Sequence, residues 1–430
     1  MIYPLLPMIY PLLRTISRLA LGLFCLLGAR ANASEIWIGG SRAWPDFVNP
    51  ATVNQWKFLQ AHADGFYINN FAMREPKGTL HAEHVVQLQQ MRSLLANKRV
   101  FYETDRIHAS AAEDTRNVGM FREAGFSWVG STINYGTDAA RTALLVEGGR
   151  LPLYYMFGPW GYKEGLESPK TQALIANIVP QAGAAVDGPV TQWRKDAGNM
   201  QKTCFDMVRW CHAHQKKFLY LIAPNESGKT FPEETQKLVR AFEDAEACPD
   251  IWALSFYGPA SFRALLETLP ETNPDGTPAP TFAGAAHWVV THLRDPDHAM
   301  RLTVPAQPGV QTTANGLVMS TRAVTKFQFA VQNTNHWCDF APFVRVRAAA
   351  VDPAFRCRWL LGDKDITAAL TGDGFNGVRD NRLLPDKSLV VTLEVSRVGA
   401  PVRPSALAIE LYPNRTEAIA SQTVRLNLVP

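Results

Sequence analysis

The pattern of hydrophobic positions repeats eight times between Ser34 and about Trp288: a short apolar run, then apolar residues at helical spacing. Short runs rich in Ile, Val, Tyr, Phe and Trp and bounded by Gly, Pro or Asn are typical of strands. Alternating strands and helices predict parallel strands with right-handed crossovers, and eight such units close into a (β/α)8 TIM barrel. The predicted strands are Glu35–Gly39, Asp64–Asn69, Arg99–Thr104, Phe126–Ser131, Leu151–Met156, Gly183–Asp187, Lys217–Ala223 and Ile251–Phe256.

After Leu293 the pattern changes to short runs of alternating residues, separated by polar residues, Pro and Gly. Such alternation is typical of an antiparallel β-sandwich. We therefore predict a catalytic barrel over residues 34–295 and an accessory sandwich over residues 300–430. The runs are Leu317–Ser320, Lys326–Gln332, Phe343–Ala348, Ser388–Val395, Ala406–Tyr412 and Thr423–Leu428.

The N-terminal segment has the order of a secretory signal. Arg14 and Arg18 precede the apolar stretch Leu19–Gly28, and small residues follow at Ala31–Ala33. This order is typical of a cleaved signal peptide, and the apolar stretch is short for a bilayer span. We expect residues 1–33 to be removed, a secreted or periplasmic location, and no stable membrane insertion afterwards; a retained membrane anchor is the alternative.

Charge argues against a nucleic-acid partner. Loss of residues 1–33 would remove three of the 43 basic residues and none of the 39 acidic ones, so the formal net charge falls from +4 to +1. No Lys/Arg-rich run or basic patch with interleaved aromatic residues appears, and we predict no nucleic-acid binding.

Five cysteines follow the signal segment, and an oxidising compartment would allow disulfides. The predicted pairs are Cys338 with Cys357, and Cys248 with either Cys211 or Cys204. An odd number leaves at least one thiol unpaired. No CxxC motif or close Cys/His ligand set occurs, so neither a metal site nor a cofactor is predicted.

The candidate catalytic residues are carboxylates at the carboxyl ends of the predicted strands, where TIM barrels carry their active sites. Asp187 ends an apolar strand, and a carboxylate is costly to bury without a partner or a function; the alternatives are a salt bridge to Arg194 or a cap on the following turn. Glu103 and Asp105 lie two apart on one strand and share a face, so that either both face the mouth or one lies in the loop and pairs with Arg106. Glu226 follows the seventh strand, although it could equally be a solvated loop residue.

Aromatic and amide residues surround the same end of the predicted barrel. Aromatic rings offer flat surfaces for sugar rings, and amide groups bind hydroxyls through directional hydrogen bonds. Any one of these aromatic residues could instead only pack a loop. The predicted substrate-binding residues are Trp44, Asn69, Asn70, Tyr135, Trp160, Trp193, Arg194, Asn225 and Tyr257.

Three segments of the second domain, Phe327–Asn333, Asp365–Ala369 and Leu384–Leu389, resemble immunoglobulin-like modules appended to secreted bacterial proteins. A signal segment, a barrel and such a sandwich together resemble secreted bacterial glycoside hydrolases. This resemblance is one of architecture, because Ser131–Tyr135 carries neither the chitinase-type DxxDxDxE motif nor the Asn-Glu of many retaining glycosidases. It implies a carbohydrate substrate and catalysis by two carboxyl groups.

Two alternatives remain open. One is a metal-dependent phosphodiesterase barrel, for which Glu103 and Asp105 would be the acidic pair; the first strand end, Gly39–Arg42, lacks the histidine that such enzymes use. The other is a non-catalytic carbohydrate-binding or scaffold protein that keeps the barrel without the catalytic pair.

Overall fold

Eight parallel strands close into a barrel, in which each strand pairs with the next and the eighth pairs with the first. The strands are β1 (Glu35–Gly39), β2 (Gly65–Asn69), β3 (Arg99–Thr104), β4 (Trp128–Asn134), β5 (Leu153–Phe157), β6 (Gly183–Pro189), β7 (Lys217–Ala223) and β8 (Ile251–Ser255). The closed barrel and the all-β region that follows it confirm the predicted fold class. The structure is a computed structural model and describes residues 34–39, 44–69, 82–95, 98–104, 111–134, 151–159, 162, 164–189, 197–224, 228–256, 267–321, 325–372, 374–376, 382–400, 403–414 and 420–429.

Helices follow most of the strands, and two of them begin at clear N-caps. The Ser168 hydroxyl accepts the N–H of Thr171 at 3.2 Å, and the Thr281 hydroxyl accepts the N–H of Gly284 at 2.9 Å. Among the described helices, none combines the length and apolar character needed to cross a membrane. The barrel helices are α1 (Trp44–Val48), α2 (Lys57–His62), α3 (Ala82–Leu94), α4 (Ala111–Glu123), α5 (Pro169–Ile178), α6 (Ala197–Ala213), α7 (Phe231–Asp244) and α8 (Phe282–Arg294).

The interior of the barrel is a packed core. Side chains alternate along each strand, so every second residue points inward. The ring of Phe101 lies 5.7 Å from that of Trp37 and 5.1 Å from that of Tyr154, both edge to face. Side chains therefore fill the interior and leave no pore, so a binding site would lie at the mouth of the barrel. Its buried members are Trp37, Tyr67, Phe101, Tyr154, Met156, Ala185, Leu219, Leu221, Ile251 and Ala253.

The amino-terminal end of the barrel is fixed by carboxylates. The Asp64 carboxylate accepts the N–H of Ile36 at 2.6 Å, and the Asp250 carboxylate accepts the N–H of Phe218 at 2.8 Å. Glu35 pairs with Arg99 at 3.2 Å and with a lysine on β7. These acids stabilise strand starts, at the end of a TIM barrel that contributes stability.

The second domain contains two β-sheets. The elements are β9 (Met300–Thr303), β10 (Val310–Thr313), β11 (Gly316–Ser320), β12 (Lys326–Asn333), β13 (Phe343–Ala350), β14 (Phe355–Leu361), β15 (Lys364–Asp365), α9 (Thr367–Thr371), β16 (Phe375–Asn376), β17 (Ser388–Arg397), β18 (Ser405–Tyr412) and β19 (Gln422–Val429). The six-stranded sheet has the order β10-β11-β19-β18-β13-β16, and the five-stranded sheet has the order β15-β14-β17-β12-β9. Phe327, Phe329 and Val331 of β12 are buried, while the alternate residues Lys326 and Gln328 are exposed.

The predicted disulfides are wrong. None of the described cysteines is joined to another: Cys204, Cys211, Cys248, Cys338 and Cys357. A disulfide needs two Cα atoms within about 4.4–6.8 Å of each other. Cys338 instead lies where the second domain meets α8, and its thiol donates to the carbonyl of Asp339 at 3.3 Å, whereas Cys357 lies within β14. Burial raises the pKa of the Cys204 and Cys211 thiols, so both stay protonated.

Asp295 joins the last barrel helix to the second domain. It follows α8 in the left-handed conformation, with φ 45°. Its carboxylate accepts the N–H groups of Ala299 at 2.6 Å and of Met300, the first residue of β9, at 2.9 Å. Burial raises the pKa of Asp295 to about 6, even though both hydrogen bonds favour the ionised form.

The raised pKa of Asp295 predicts that this residue reduces the stability of the fold as the pH rises. Because the native state holds this proton more tightly than the unfolded chain, the contribution of Asp295 to stability falls as the pH rises from about 4 to about 6. Asn at this position tolerates the left-handed backbone and does not ionise. The stability of Asp295→Asn relative to the wild type should therefore rise by up to about 3 kcal/mol between pH 4 and pH 7.

Urea unfolding of both proteins at several pH values measures this difference. The Asn variant of Asp363 is the control, because that side chain is exposed and its replacement should change stability by less than about 0.5 kcal/mol. A constant difference for Asp295→Asn would contradict the prediction.

Candidate active site at the barrel mouth

Two of the predicted carboxylates, Glu103 and Asp187, point to the inside of the barrel at its carboxyl-terminal mouth. Phe101 on β3 and Ala185 on β6 belong to the interior core, and the residue two positions later on each strand points the same way. Glu103 is buried and Asp187 is partly buried. The barrel therefore brings together two acids that are 84 residues apart in sequence.

Tyr67 of β2 lies against Glu103, and the charge of Asp187 also reaches it. Its hydroxyl donates to the Glu103 carboxylate at 3.1 Å, and the ring is fully buried. Burial raises the pKa of Tyr67 well above its ordinary value; the negative charge of Glu103 raises it further, and that of Asp187 adds to the effect. Tyr67 thus stays protonated and acts as a hydrogen-bond donor beside both acids.

The hydroxyl of Ser255 is also buried at the mouth. Ile251 and Ala253 of β8 lie in the interior core, so alternation directs Ser255 to the same side. Its Oγ is without a hydrogen-bond partner among the residues that the structure describes, and the residue is fully buried. A buried hydroxyl without a partner is unfavourable, so Ser255 is an exception within the packed interior.

Two glycines let the strands approach each other closely at this end. Gly39 ends β1 with φ +145°, and a β-carbon there would lie 2.3 Å from the Tyr67 carbonyl oxygen. A β-carbon at Gly188, directly after Asp187, would lie 2.3 Å from the Tyr220 hydroxyl oxygen. A larger residue at Gly39 would displace β2, which carries Tyr67, whereas one at Gly188 would displace the buried ring of Tyr220.

The other predicted site residues lie mostly outside the described part of the chain. For Trp44 and Asn69 only the backbone is described: Trp44 begins α1 and Asn69 ends β2, in register with Glu103. Tyr67 and Ser255 were not predicted, because their strands read as apolar core. The signal that could have identified them was their even spacing from inward-facing residues. The predicted residues outside the described ranges are Asp105, Glu226, Asn70, Tyr135, Trp160, Trp193, Arg194, Asn225 and Tyr257.

A second group of polar side chains, His292, Cys338 and Asp339, lies where the two domains meet, with possible ligand atoms within 4.8 Å of one another. His292 contacts the carbonyl oxygen of Asp339 at 2.5 Å and the carboxylate of Glu243 at 2.9 Å. Both ring nitrogens are therefore engaged by protein oxygens. Arg240 also holds the Asp339 carboxylate at 2.7 and 3.0 Å, so this group is an ion-pair cluster.

Comparisons with known proteins bear on the fold alone. No family model and no curated protein matches the sequence. Among solved structures, N-(5'-phosphoribosyl)anthranilate isomerase from Pyrococcus furiosus is similar over 59% of this chain and 96% of that chain, at 10% sequence identity and a TM-score of 0.33. That similarity is too low to inform function, and the barrel assignment rests on the strand pairing.

Proposed function

We propose that the protein is a glycoside hydrolase that cleaves a polysaccharide or oligosaccharide at the carboxyl-terminal mouth of the barrel. The observation that supports this proposal is the pair of inward-facing acids, Glu103 and Asp187, both acting on the buried hydroxyl of Tyr67. Glycoside hydrolysis needs two carboxyl groups: one donates a proton to the leaving oxygen, and the other attacks the sugar or activates water.

Tyr67 favours one assignment of these roles. A hydrogen bond donated to a carboxylate stabilises its ionised form. We therefore assign Glu103 as the ionised nucleophile or base and Asp187 as the proton donor. The aromatic core beneath the mouth keeps the substrate above the packed interior of the barrel.

The same proposal includes a location outside the cytoplasm. Arg14 and Arg18 before the apolar stretch Leu19–Gly28 favour export, and a carbohydrate outside the cytoplasm fits an enzyme of this kind. Fractionation of the native host should place the chain, shortened by about 33 residues, in the periplasm or the medium.

Incubation of the purified protein with a panel of neutral and acidic polysaccharides tests the activity. We expect release of new reducing ends from at least one polymer, without added metal. Binding without any release would instead identify a non-catalytic carbohydrate-binding protein. Metal-dependent cleavage of phosphate esters would identify a phosphodiesterase.

A further inference from the structure

A groove of about 780 Å³ crosses one end of the five-stranded sheet, far along the chain from the proposed catalytic residues. It lies where β12 begins, β14 begins and β17 ends. Its lining carries four basic side chains and a single acidic one, together with three hydroxyl groups. The basic residues are Lys326, Arg356, Arg358 and Arg397.

The single carboxylate in the groove is shared between two of these cations. Glu394 contacts Lys326 at 3.1 Å and Arg358 at 3.7 Å. Arg358 also pairs with Asp365 at 2.8 Å, at the edge of the sheet. Register places Glu394 directly between Lys326 and Arg358 on neighbouring strands, which explains this sharing.

The other two arginines have no carboxylate to neutralise them among the described residues. Arg356 is exposed, and the described part of the chain gives its guanidinium neither an ion pair nor a hydrogen bond. Arg397 donates twice to one neutral oxygen, the Thr321 hydroxyl, at 3.0 and 2.6 Å. Since a guanidinium stays protonated at any physiological pH, the groove carries excess positive charge.

We propose that this groove binds an acidic polysaccharide through its carboxylate or sulfate groups. Guanidinium groups bind such planar or tetrahedral anions with two parallel hydrogen bonds. Arg356 and Arg358 project from the same face of β14, about 7 Å apart along the strand, which suits an extended chain with repeated charges. Hydroxyls of Thr325 and Ser396 can meet sugar hydroxyls.

The lining favours a glycan over a nucleic acid. Proteins that bind single-stranded nucleic acid usually offer aromatic rings on which the bases stack. The described lining of the groove contains no aromatic side chain. The site is also separate from the barrel mouth, so binding here can be tested independently of catalysis.

The test measures binding of the full-length protein, carrying Glu103→Gln to prevent turnover, to polygalacturonate, heparin, neutral dextran and single-stranded DNA. We expect binding to polygalacturonate or heparin but not to dextran, with affinity that falls as NaCl rises. Arg356→Gln should weaken binding about tenfold, since it removes a charged hydrogen-bonding group. Adding Arg397→Gln should weaken it further.

Arg301→Gln is the matched control, because Arg301 is an exposed arginine on β9 of the same sheet and lies outside the groove. It should bind like the parent protein. Equal effects of Arg356→Gln and Arg301→Gln, no binding to either acidic polysaccharide, or tighter binding to DNA would each overturn the proposal. Thermal unfolding of every variant separates lost binding from lost folding.

Discussion

Replacement of Glu103 by Gln or of Asp187 by Asn is expected to lower kcat for polysaccharide cleavage by about a thousandfold. Each substitution keeps the size of the side chain but removes its ability to ionise or to supply an acidic proton. Both side chains point into the barrel mouth, where the Glu103 carboxylate accepts a hydrogen bond from the buried hydroxyl of Tyr67 and the charge of Asp187 also acts on that hydroxyl. Steady-state release of reducing ends measures the loss, and circular dichroism checks the fold.

A carboxylate outside the mouth provides the control for these variants. Glu233 is exposed on α7, where it pairs with Lys237 one helical turn away at 2.6 Å. Glu233→Gln removes the same charge and should leave kcat unchanged. If Glu103→Gln or Asp187→Asn keeps more than a tenth of the wild-type kcat, that acid is not one of the catalytic pair, and Asp105 and Glu226 become the next candidates.

Tyr67→Phe tests, in the same assay, whether Tyr67 acts by holding and ionising Glu103. The variant removes the donor to Glu103 but leaves both acids in place. Because the ionised form of Glu103 loses a hydrogen bond, the acidic limb of the kcat profile should move to higher pH, with a smaller loss of kcat than in the acid variants. A uniform loss of activity with an unchanged profile would indicate a structural role only.

Hydrophobic periodicity predicted the barrel well because strands in a parallel barrel are short, apolar and buried. The predicted bounds of β1, β3 and β7 agree with the structure. The fourth strand was placed too early, at Phe126, because an apolar residue in a turn resembles the start of a strand. Phe126 instead packs edge to face on Phe121 of α4, with ring centroids 6.3 Å apart.

The sequence predicted only those site residues whose polar or charged side chains stood out at the end of an apolar strand. Asp187 stood out as a charge closing an apolar strand, whereas Tyr67 read as one more core residue. Its role depends on a hydrogen bond to Glu103, 36 residues away. The disulfide predictions were wrong for a related reason, because spacing in the sequence does not give the distance between Cα atoms.

The contact between the two domains was invisible in the sequence, because Glu243, His292, Asp339 and Arg382 are spread over 140 residues. In the structure they form one buried cluster. Arg382 pairs with Glu243, contacts Asp244 at 2.8 Å and lies 3.7 Å from Asp339. Its side chain is 9% exposed, and that of Glu243 is 4% exposed. Arg382 thus holds the second domain against the carboxyl-terminal end of α7.

Arg382→Met is expected to destabilise the protein by about 3–5 kcal/mol, because it leaves the buried carboxylate of Glu243 without its arginine partner. Urea unfolding should show a lower first midpoint and two separated transitions as the domains lose their coupling. Arg356→Met, at an exposed arginine of the same domain, is the matched control and should change stability by less than about 0.5 kcal/mol.

The effect of Arg382→Met should also depend on pH. Burial alone would raise the pKa of Glu243, but the charges and hydrogen bonds of His292 and Arg382 outweigh burial and lower it. A lowered native pKa means that this group stabilises the fold above its unfolded value, near 4.5, and that the contribution is lost as the pH falls further. The difference in stability between Arg382→Met and the wild type should therefore shrink in acid.

Adding Glu243→Gln to Arg382→Met should restore part of the lost stability at neutral pH, since no buried charge then lacks its partner. A loss below about 1 kcal/mol for Arg382→Met, or no recovery in the double variant, would mean that apolar packing alone holds the two domains together.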